Sequence, residues 1–335
     1  MCSASTSSNT TVVGTESDIE IIDPPSTYVS AMEFSSYHTI RNNYLAASCF
    51  DRTVRLWEVR RSRKNEPKTV IEMPSLILDI AWSIHGRGVY MASIDNQLQF
   101  IDFGKPNILL YSANNYHDGP VRTCNVIKKT NYISCIMTGS WDKTIKIWDS
   151  RCIEPVVTIN LPYNIACADV EDDMAVVCTE RGMIYVYELG PRIKMTAYFN
   201  THQSESCSAA IFRDRRTGKP AGFTLGTPEG FIIPIYIDKS HDVPNVEIAM
   251  PLNNNAAVND IKYHPINHVT AVLGSNGHCS FFNMEPPGAT ILLDKCCQAS
   301  INKCCFNVDG TIFAYNTFRD NSQVCQLISQ IKCIM

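Results

Sequence analysis

A short repeat spaced by about 45 residues limits the possible folds of this chain more than any other sequence feature. Its two clearest copies share the pattern Asp-x-x-(Ile/Val)-(Lys/Arg)-(Ile/Leu)-Trp-(Asp/Glu). In these copies Trp57 stands six residues after Asp51, and Trp148 stands six residues after Asp142. A repeat of this length predicts small, similar structural units that stack against one another.

Weaker copies of the repeat follow with similar spacing along the chain. The residues that close the copies lie 39 to 48 residues apart, and they are Trp57, Ile101, Trp148, Tyr187, Ile235 and Phe282. Each copy follows two short segments with strand-like patterns, such as 121–126 and 133–138 in the third copy. The spacing is typical of the four-stranded blades of a β-propeller.

The number of repeats predicts a single all-β domain. Dividing the chain, less its tails, by the period gives close to seven units, which predicts one seven-bladed β-propeller over residues 18–335. Residues 1–17 are rich in Ser and Thr, and we predict that they form a disordered tail. The segment 18–22 is predicted to join the seventh blade as its outer strand and to close the ring.

The residues that define the repeat are predicted to have structural roles. The carboxylates of Asp51 and Asp142 suit tight turns, where they accept backbone N–H groups. Trp57 is expected to pack between blades, because its large ring buries much apolar surface. In the third blade we predict a hydrogen-bonded set formed by His117, either Ser140 or Thr138, Asp142 and Trp148.

The residues just before the turn aspartates are expected to project from one face of the propeller. These residues are Phe50, Ile94, Trp141, Glu180 and Pro228. Trp141 stands at a polar turn beside Lys143, where it has no evident core role, and aromatic side chains are favoured anchors in protein interfaces. We therefore predict that Trp141 and Phe50 contact a partner; the alternative is that they cover the turns beneath them.

Charge argues against a general clamp on nucleic acid. The chain has 29 Lys and Arg against 33 Asp and Glu, a formal net charge of −4, whereas such a clamp leaves a basic excess. A local basic patch is still compatible with this balance. The strongest one lies in a predicted loop, where Arg60, Arg61, Arg63 and Lys64 are candidates for contact with phosphate or an acidic partner. The alternative is that this run is simply solvated.

The sequence lacks the common motifs of enzymes and cofactor sites. No phosphate-binding loop, dinucleotide fingerprint, zinc-protease motif or nucleophile elbow occurs. An enzyme would instead need convergent acids on the inner strands, which offer the isolated Asp79, Asp169 and Asp260. We therefore predict a protein that is not an enzyme, without a cofactor, metal or small-molecule substrate.

The cysteines and the apolar segments bear on the cellular compartment. No apolar run reaches the ~18 residues that a membrane span needs, and the N-terminus lacks the basic start and apolar core of a secretory signal. The 15 cysteines are an odd number. Paired residues such as Cys296 and Cys297 are expected to pack in the core. We expect reduced thiols in a cytosolic or nuclear protein.

Several stretches beyond the generic repeat carry a resemblance to a known family. They are 18–25, 137–149, 167–170, 211–214, 218–223 and 304–307. Across residues 18–316 the chain resembles the WD-repeat family of the mRNA export factor of the nuclear pore. This resemblance implies a docking platform that binds a hairpin segment of a nucleoporin across one propeller face. It also implies association with RNA or ribonucleoprotein, and roles in mRNA export and spindle assembly.

The family pattern further implies which residues line the hairpin groove and where the protein acts. Lys143 and Lys128 match groove lysines of the family, and the implied location is the nucleus, the nuclear envelope at its pores, and the cytoplasm. A sister family, a mitotic checkpoint propeller, binds similar hairpins on the same face. The alternative function is therefore a checkpoint, spindle or ubiquitin-ligase adaptor.

The chain departs from the family at two positions of the expected groove. Phe282 takes the place of the sixth closing Trp, and residues 283–289 after it lack the Lys and Arg that the family carries there. In the fifth blade, Phe231 takes the place of an Arg. Both phenylalanines are retained as candidate partner contacts. Because acidic groups of a hairpin would lose charge-assisted hydrogen bonds, we predict a divergent paralogue with weakened or retuned hairpin binding.

Overall fold

A computed structural model describes most of the chain. The described residues are 18–35, 43–60, 62, 64–110, 117–128, 135–152, 154–201, 206–214, 216–237, 245–246, 250–251, 256–283, 290–297, 299–319 and 322–329. The predicted tail 1–17 lies outside these ranges, as do Arg61 and Arg63. Within the described ranges, no helix is long and apolar enough to cross a membrane.

The described residues form short antiparallel strands throughout. In chain order the strands are β1 (Ile19–Glu20), β2 (Val29–Phe34), β3 (Asn43–Cys49), β4 (Thr53–Val59), β5 (Asn65–Glu72), β6 (Ile77–Trp82), β7 (Gly88–Ser93), β8 (Leu98–Asp102), β9 (Lys105–Leu110), β10 (Val121–Ile127), β11 (Cys135–Ser140), β12 (Thr144–Asp149), β13 (Val157–Asn160), β14 (Ile165–Glu171) and β15 (Met174–Thr179). The remaining strands are β16 (Met183–Leu189), β17 (Ile193–Asn200), β18 (Ser208–Arg213), β19 (Pro220–Gly226), β20 (Phe231–Tyr236), β21 (Asn245–Val246), β22 (Met250–Pro251), β23 (Val258–Tyr263), β24 (Val269–Gly274), β25 (His278–Asn283), β26 (Thr290–Cys296), β27 (Ser300–Phe306), β28 (Ile312–Arg319) and β29 (Ser322–Ser329).

These strands are arranged as seven sheets within the described part of the chain. Six sheets use consecutive strands: sheet 1 is β2–β5, sheet 2 is β6–β9, sheet 3 is β10–β13, sheet 4 is β14–β17, sheet 5 is β18–β22 and sheet 6 is β23–β26. Sheet 7 combines the C-terminal strands β27, β28 and β29 with the N-terminal strand β1. The innermost strands contact one another in sequence, and β27 contacts β2, so the ring is closed. The prediction of an all-β propeller is confirmed.

The core lies between the sheets. Each pair of neighbouring sheets shares one cluster of buried apolar side chains, including the pair formed by sheets 7 and 1. Trp57 lies in the cluster between sheets 7 and 1, and Trp148 lies in the cluster between sheets 2 and 3. A sheet with two apolar faces gains stability only from neighbours on both sides, so closure of the ring is the main source of stability.

The N-terminal segment ties the two ends of the chain together. β1 pairs with β29, with Ile19 opposite Leu327. The carboxylate of Asp18 accepts hydrogen bonds from Lys295 in sheet 6 and from the Tyr315 hydroxyl in sheet 7. The indole Nε1 of Trp57 donates to the carbonyl oxygen of Ile22 at 2.9 Å. The segment that precedes the first repeat therefore contacts sheets 1, 6 and 7.

Carboxylates on the innermost strands connect neighbouring sheets. Each accepts a backbone N–H from the next innermost strand: Glu33 from Trp82 at 2.8 Å, Asp79 from Cys124 at 2.9 Å, Asp169 from Ile211 at 2.7 Å, and Asp260 from Cys304 at 3.1 Å. Burial raises the pKa of Glu33, Asp79 and Asp169. Burial opposes the charge of Lys262, but the surrounding aspartates raise its pKa. These acids therefore have a structural role in joining the sheets.

Replacing Asp260 with Ala should lower the free energy of unfolding by about 3 kcal/mol, because the Asp260 carboxylate connects its own sheet 6 with sheets 5 and 7 through hydrogen bonds. Its Oδ1 accepts the Ser208 hydroxyl at 3.1 Å, and its Oδ2 accepts the Cys304 N–H. Lys303 Nζ also lies 3.8 Å from Asp260 Oδ1. The measurement is urea unfolding, with Glu188→Ala, which removes an exposed carboxylate of β16, as the matched control. Equal stability of the two variants would contradict the proposed role of the inner carboxylates.

Candidate functional site

The turns that contain the repeat aspartates all lie at one end of the ring. In sheet 3 the first residue of the innermost strand, Val121, pairs with Ser140, which directly precedes the turn. Sheets 1, 2, 4, 5 and 6 have the same register, with the turn beside the start of the innermost strand. We call this end the turn face and the other end the opposite face. The turn face therefore collects one turn from each of the first six sheets.

These turns share an unusual backbone conformation. The last residue of each has a positive φ: Arg52 (62°), Asn96 (71°), Lys143 (70°), Gly182 (70°), Gly230 (86°) and Gly277 (84°). The left-handed region suits glycine, and it strains most other residues. Three turns use glycine, but two place a long basic side chain there. Arg52 and Lys143 are therefore basic residues held at strained positions of exposed turns.

A buried hydrogen-bonded set fixes the turn that carries Trp141 and Lys143. His117 Nδ1 lies 2.8 Å from Asp142 Oδ2, and His117 Nε2 lies 2.7 Å from Thr138 Oγ1. The indole Nε1 of Trp148 donates to Thr138 Oγ1 at 2.8 Å. The predicted set is therefore present, and Thr138 is the member that bonds His117 and Trp148. Ser140 instead donates to the Gly119 carbonyl at 3.0 Å.

The charges within this set are arranged to hold the turn. Burial lowers the pKa of His117, which is therefore neutral at pH 7. Although burial acts in the other direction, hydrogen bonds from His117 and Thr144 lower the pKa of Asp142. The backbone N–H groups of Asp118 and Thr144 also donate to the Asp142 carboxylate, at 2.9 and 2.8 Å. The role of Asp142 is thus to position the exposed turn.

The first sheet has a simpler version of the same turn. Asp51 Oδ1 accepts the backbone N–H of Thr53 at 3.0 Å and its hydroxyl at 2.6 Å. Arg55 Nη2 lies 3.4 Å from Asp51 Oδ2. These contacts hold Phe50 and Arg52 at the tip of the turn. Asp51 and Trp57 therefore have the structural contacts that the repeat predicts.

Large apolar side chains are exposed along the turn face of sheets 1 to 4. Phe50 is 54% exposed, and Ile94 and Trp141 are each 42% exposed. Two tyrosines that the repeat pattern did not single out extend this surface, and we define the apolar arc as Tyr28, Phe50, Ile94, Trp141 and Tyr163. The rings of Tyr28 and Phe50 lie 5.8 Å apart. Because these residues stand in loops before and within neighbouring sheets, only the folded ring brings them together.

Two cations flank the apolar arc. Arg52 follows Phe50 by two residues in sheet 1, and Lys143 follows Trp141 by two residues in sheet 3. Both side chains are exposed, and neither forms an ion pair within the described residues. Trp141 donates its backbone N–H to the Pro120 carbonyl at 3.0 Å, which fixes the backbone of the turn beneath the exposed ring. The arrangement suits an extended partner with apolar and acidic side chains.

Other predicted contact residues lie on the opposite face. Lys128 follows Ile127, which pairs with Cys135 at the end of sheet 3 remote from the turn, and it is exposed. Arg60 and Lys64 lie at the corresponding end of sheet 1. Arg60 contacts the nearly buried Glu58, with Nε 3.0 Å from Oε1, and also Glu66 at 3.4 Å. Lys143 and Lys128 therefore do not belong to one surface, which corrects their predicted grouping in one groove.

The two phenylalanines of the expected groove differ in exposure. Phe231 follows the turn of sheet 5 and is partly buried against the cluster between sheets 4 and 5. Phe282 is 4% exposed and lies in the cluster between sheets 5 and 6. It replaces a closing Trp by filling the same apolar space. The prediction that Phe282 contacts a partner directly is therefore wrong. Phe231 exposes part of its surface.

The described residues show no cluster of metal ligands. No group of three or more His, Cys, Asp or Glu residues in the described ranges is placed to hold a metal ion. None of the described cysteines forms a disulfide. Burial raises the pKa of Cys124, Cys279 and Cys304. These thiols fill apolar space in the core.

Comparisons with known proteins identify the class of this fold. The family model "WD domain, G-beta repeat" matches residues 19–58 and 111–149. A solved structure of U3-55K superposes with a TM-score of 0.76, covering 93% of this chain and 98% of that chain at 13% identity. The chain is therefore a WD-repeat propeller.

Similar curated sequences identify the particular family. Protein Rae1 of Drosophila melanogaster is 37% identical over 308 residues, which cover 89% of this chain and 86% of that protein. The mRNA export factors of Danio rerio and Xenopus tropicalis are each 35% identical, over 91% of this chain and 84% of those proteins. The chain belongs to the mRNA export factor family.

The histidine of the buried set should make this turn sensitive to acid. Because the folded-state pKa of His117 is lowered, its contribution to stability is complete above the unfolded pKa of about 6.5 and is lost as pH falls below that value. The stability advantage of the wild type over His117→Gln should shrink by about 1 kcal/mol between pH 7.5 and pH 5.5. Urea unfolding of both proteins at each pH checks this. A constant difference would show that His117 does not titrate in this way.

The strained lysine should make the protein slightly less stable than a glycine variant. Lys143→Gly removes a left-handed strain of about 1 kcal/mol but adds chain entropy to the unfolded state, so we expect a net gain of about 0.5 kcal/mol. The change in urea midpoint measures this gain. Lys146→Gly, at a strand position of the same sheet, is the matched control and should destabilise the protein.

Proposed function

We propose that this protein is a non-enzymatic docking scaffold in the export of mRNA from the nucleus. It acts in the nucleus and at the nuclear pores, and it also occurs in the cytoplasm. The proposal is supported by relatives named mRNA export factor that align with 91% of this chain. It is also supported by the inner carboxylates, which serve to join sheets rather than to form a catalytic centre.

The proposed partner is a hairpin segment of a nucleoporin, and it binds across the turn face. The single observation that carries this proposal is the apolar arc, in which Phe50 and Trp141 are exposed. Aromatic anchors of this kind dominate the energy of many interfaces. Both lie on turns that are fixed by buried or partly buried aspartates, so they are ordered before the partner arrives and little entropy is lost on binding.

The binding is retuned relative to the family pattern. On the turn face, Phe231 stands where the family carries an Arg. The exposed cations that the turn face does provide include Arg52 in sheet 1, Lys143 in sheet 3 and Arg181 in sheet 4. We therefore place the acidic groups of the hairpin beside sheets 1 to 4, where charge-assisted hydrogen bonds are available.

Ribonucleoprotein is a further proposed partner, and it binds away from the hairpin. Lys64 and Lys128 are exposed on the opposite face. With a net charge of −4, the protein as a whole does not attract RNA, so such contacts depend on local cations. A spindle or checkpoint partner would bind the turn face in place of the nucleoporin hairpin.

Trp141→Ala should weaken hairpin binding by about 2 kcal/mol, or about 30-fold, because it removes an anchor from the apolar arc. Phe50→Ala should have a similar effect. Isothermal titration with a synthetic nucleoporin hairpin peptide measures both affinities, and we expect a wild-type Kd weaker than about 1 μM because Phe231 replaces the Arg that the family carries after the turn of sheet 5.

Tyr198→Ala is the matched control, since Tyr198 is a 64% exposed aromatic residue of β17 outside the apolar arc. It should leave the affinity unchanged. Equal loss in all three variants, or no binding by the wild type, would contradict hairpin docking at this face. Recovery of checkpoint kinases or ubiquitin-ligase subunits without nucleoporins in a pulldown would favour the adaptor function.

A further inference from the structure

A second concave site lies between sheets 1 and 2, away from the apolar arc. A cavity of about 520 Å³ opens there, and its floor is formed by Leu56 and Trp82. Trp82 ends the innermost strand of sheet 2 at the opposite face, where it pairs with Val89, whereas Ile77 at the turn face pairs with Ser93. The cavity is therefore separate from the turn face, and its role does not rest on the proposed hairpin binding.

The walls of the cavity are aromatic and well supported. Tyr44 and Phe103 are partly buried and pack against the cluster that joins sheets 1 and 2. The ring of Phe103 lies 5.5 Å from that of Trp82. The backbone N–H of Phe103 donates to the Arg87 carbonyl at 3.0 Å, and the indole Nε1 of Trp82 donates to the Glu33 carbonyl at 2.9 Å. The site is therefore formed before any ligand binds, which reduces the entropy cost of binding.

The rim provides one cation that is available to a ligand. Lys68 Nζ is shared by Glu58 Oε2 at 2.6 Å and Glu66 Oε2 at 3.1 Å. Asp102 Oδ1 accepts the Gly104 N–H at 2.8 Å. Arg87, in contrast, is exposed and forms no ion pair among the described residues. A ligand with a carboxylate beside an apolar side chain could pair with Arg87 at the rim and pack against the aromatic walls.

We propose that this cavity binds a short peptide segment of a partner protein that carries a large apolar side chain next to an aspartate or glutamate. The apolar side chain lies between Tyr44 and Phe103 over Trp82, and the carboxylate pairs with Arg87. The volume is within the range of sites that enclose small ligands and single side chains. Because Lys68 is already paired with Glu58 and Glu66, and Asp102 adds a further carboxylate, Arg87 can pair with one anionic group but not with a row of phosphates, which favours a peptide over RNA.

The test starts from a phage-displayed library of random 12-residue peptides, selected on the purified full chain. We expect enrichment of sequences in which Phe, Tyr, Trp or Leu adjoins Asp or Glu. Fluorescence polarisation with the enriched peptides should show about tenfold weaker binding to Arg87→Glu and nearly unchanged binding to Arg87→Lys. Because Arg87 is exposed, both variants should unfold at the wild-type urea concentration.

Arg192→Glu is the matched control, since it reverses an exposed cation in the turn between β16 and β17, outside the cavity and the apolar arc, and should leave the affinity of these peptides unchanged. Replacing the acidic residue of an enriched peptide with Lys should restore binding to Arg87→Glu, because the charges are then exchanged. The proposal is overturned if the library yields no such sequences, or if the enriched peptides bind Arg87→Glu as well as the wild type. It is also overturned if Arg87→Glu weakens binding of a single-stranded RNA 12-mer and not of the peptides.

Discussion

The burial of apolar side chains between neighbouring sheets is the interaction on which the rest of this structure depends. Each of the seven junctions has its own cluster, and none of the sheets could bury both faces alone. The stack is stable because it closes on itself. The junction of sheets 7 and 1 brings together chain segments that are far apart in sequence, and Asp18, β1 and Trp57 lie beside it.

Closure also decides which polar groups are available for function. The inner acids Glu33, Asp79, Asp169 and Asp260 accept backbone N–H groups across sheet boundaries, so they are committed to the ring. The repeat aspartates are committed to their turns. The groups that stay accessible to other molecules lie at the rim of the ring. There, exposed aromatic and basic side chains stand on turns that the buried groups hold in place.

The two ends of the ring have different chemistry because consecutive turns alternate between them. The turn face carries the apolar arc with Arg52 and Lys143. The opposite face carries Lys64, Lys128 and the cavity above Trp82. The apolar arc is the surface that we propose for hairpin docking, and the cavity that we propose for a peptide is separate from it. A scaffold with sites at both ends can hold two partners at once without competition between them.

The sequence by itself determined the class of fold and much of the local structure, because a short repeat imposes the same strands and turns at each copy. The pairing of Asp142 with His117 and the hydrogen bonds of Asp51 with Thr53 follow from residues within or beside one repeat. Only the tertiary structure decided that Lys128 and Lys143 lie on opposite faces, that Phe282 is buried, and that Tyr28 and Tyr163 join the apolar arc. The physical reason is that these properties depend on the direction of each strand and on contacts between different sheets, and neither is encoded in the spacing of one repeat.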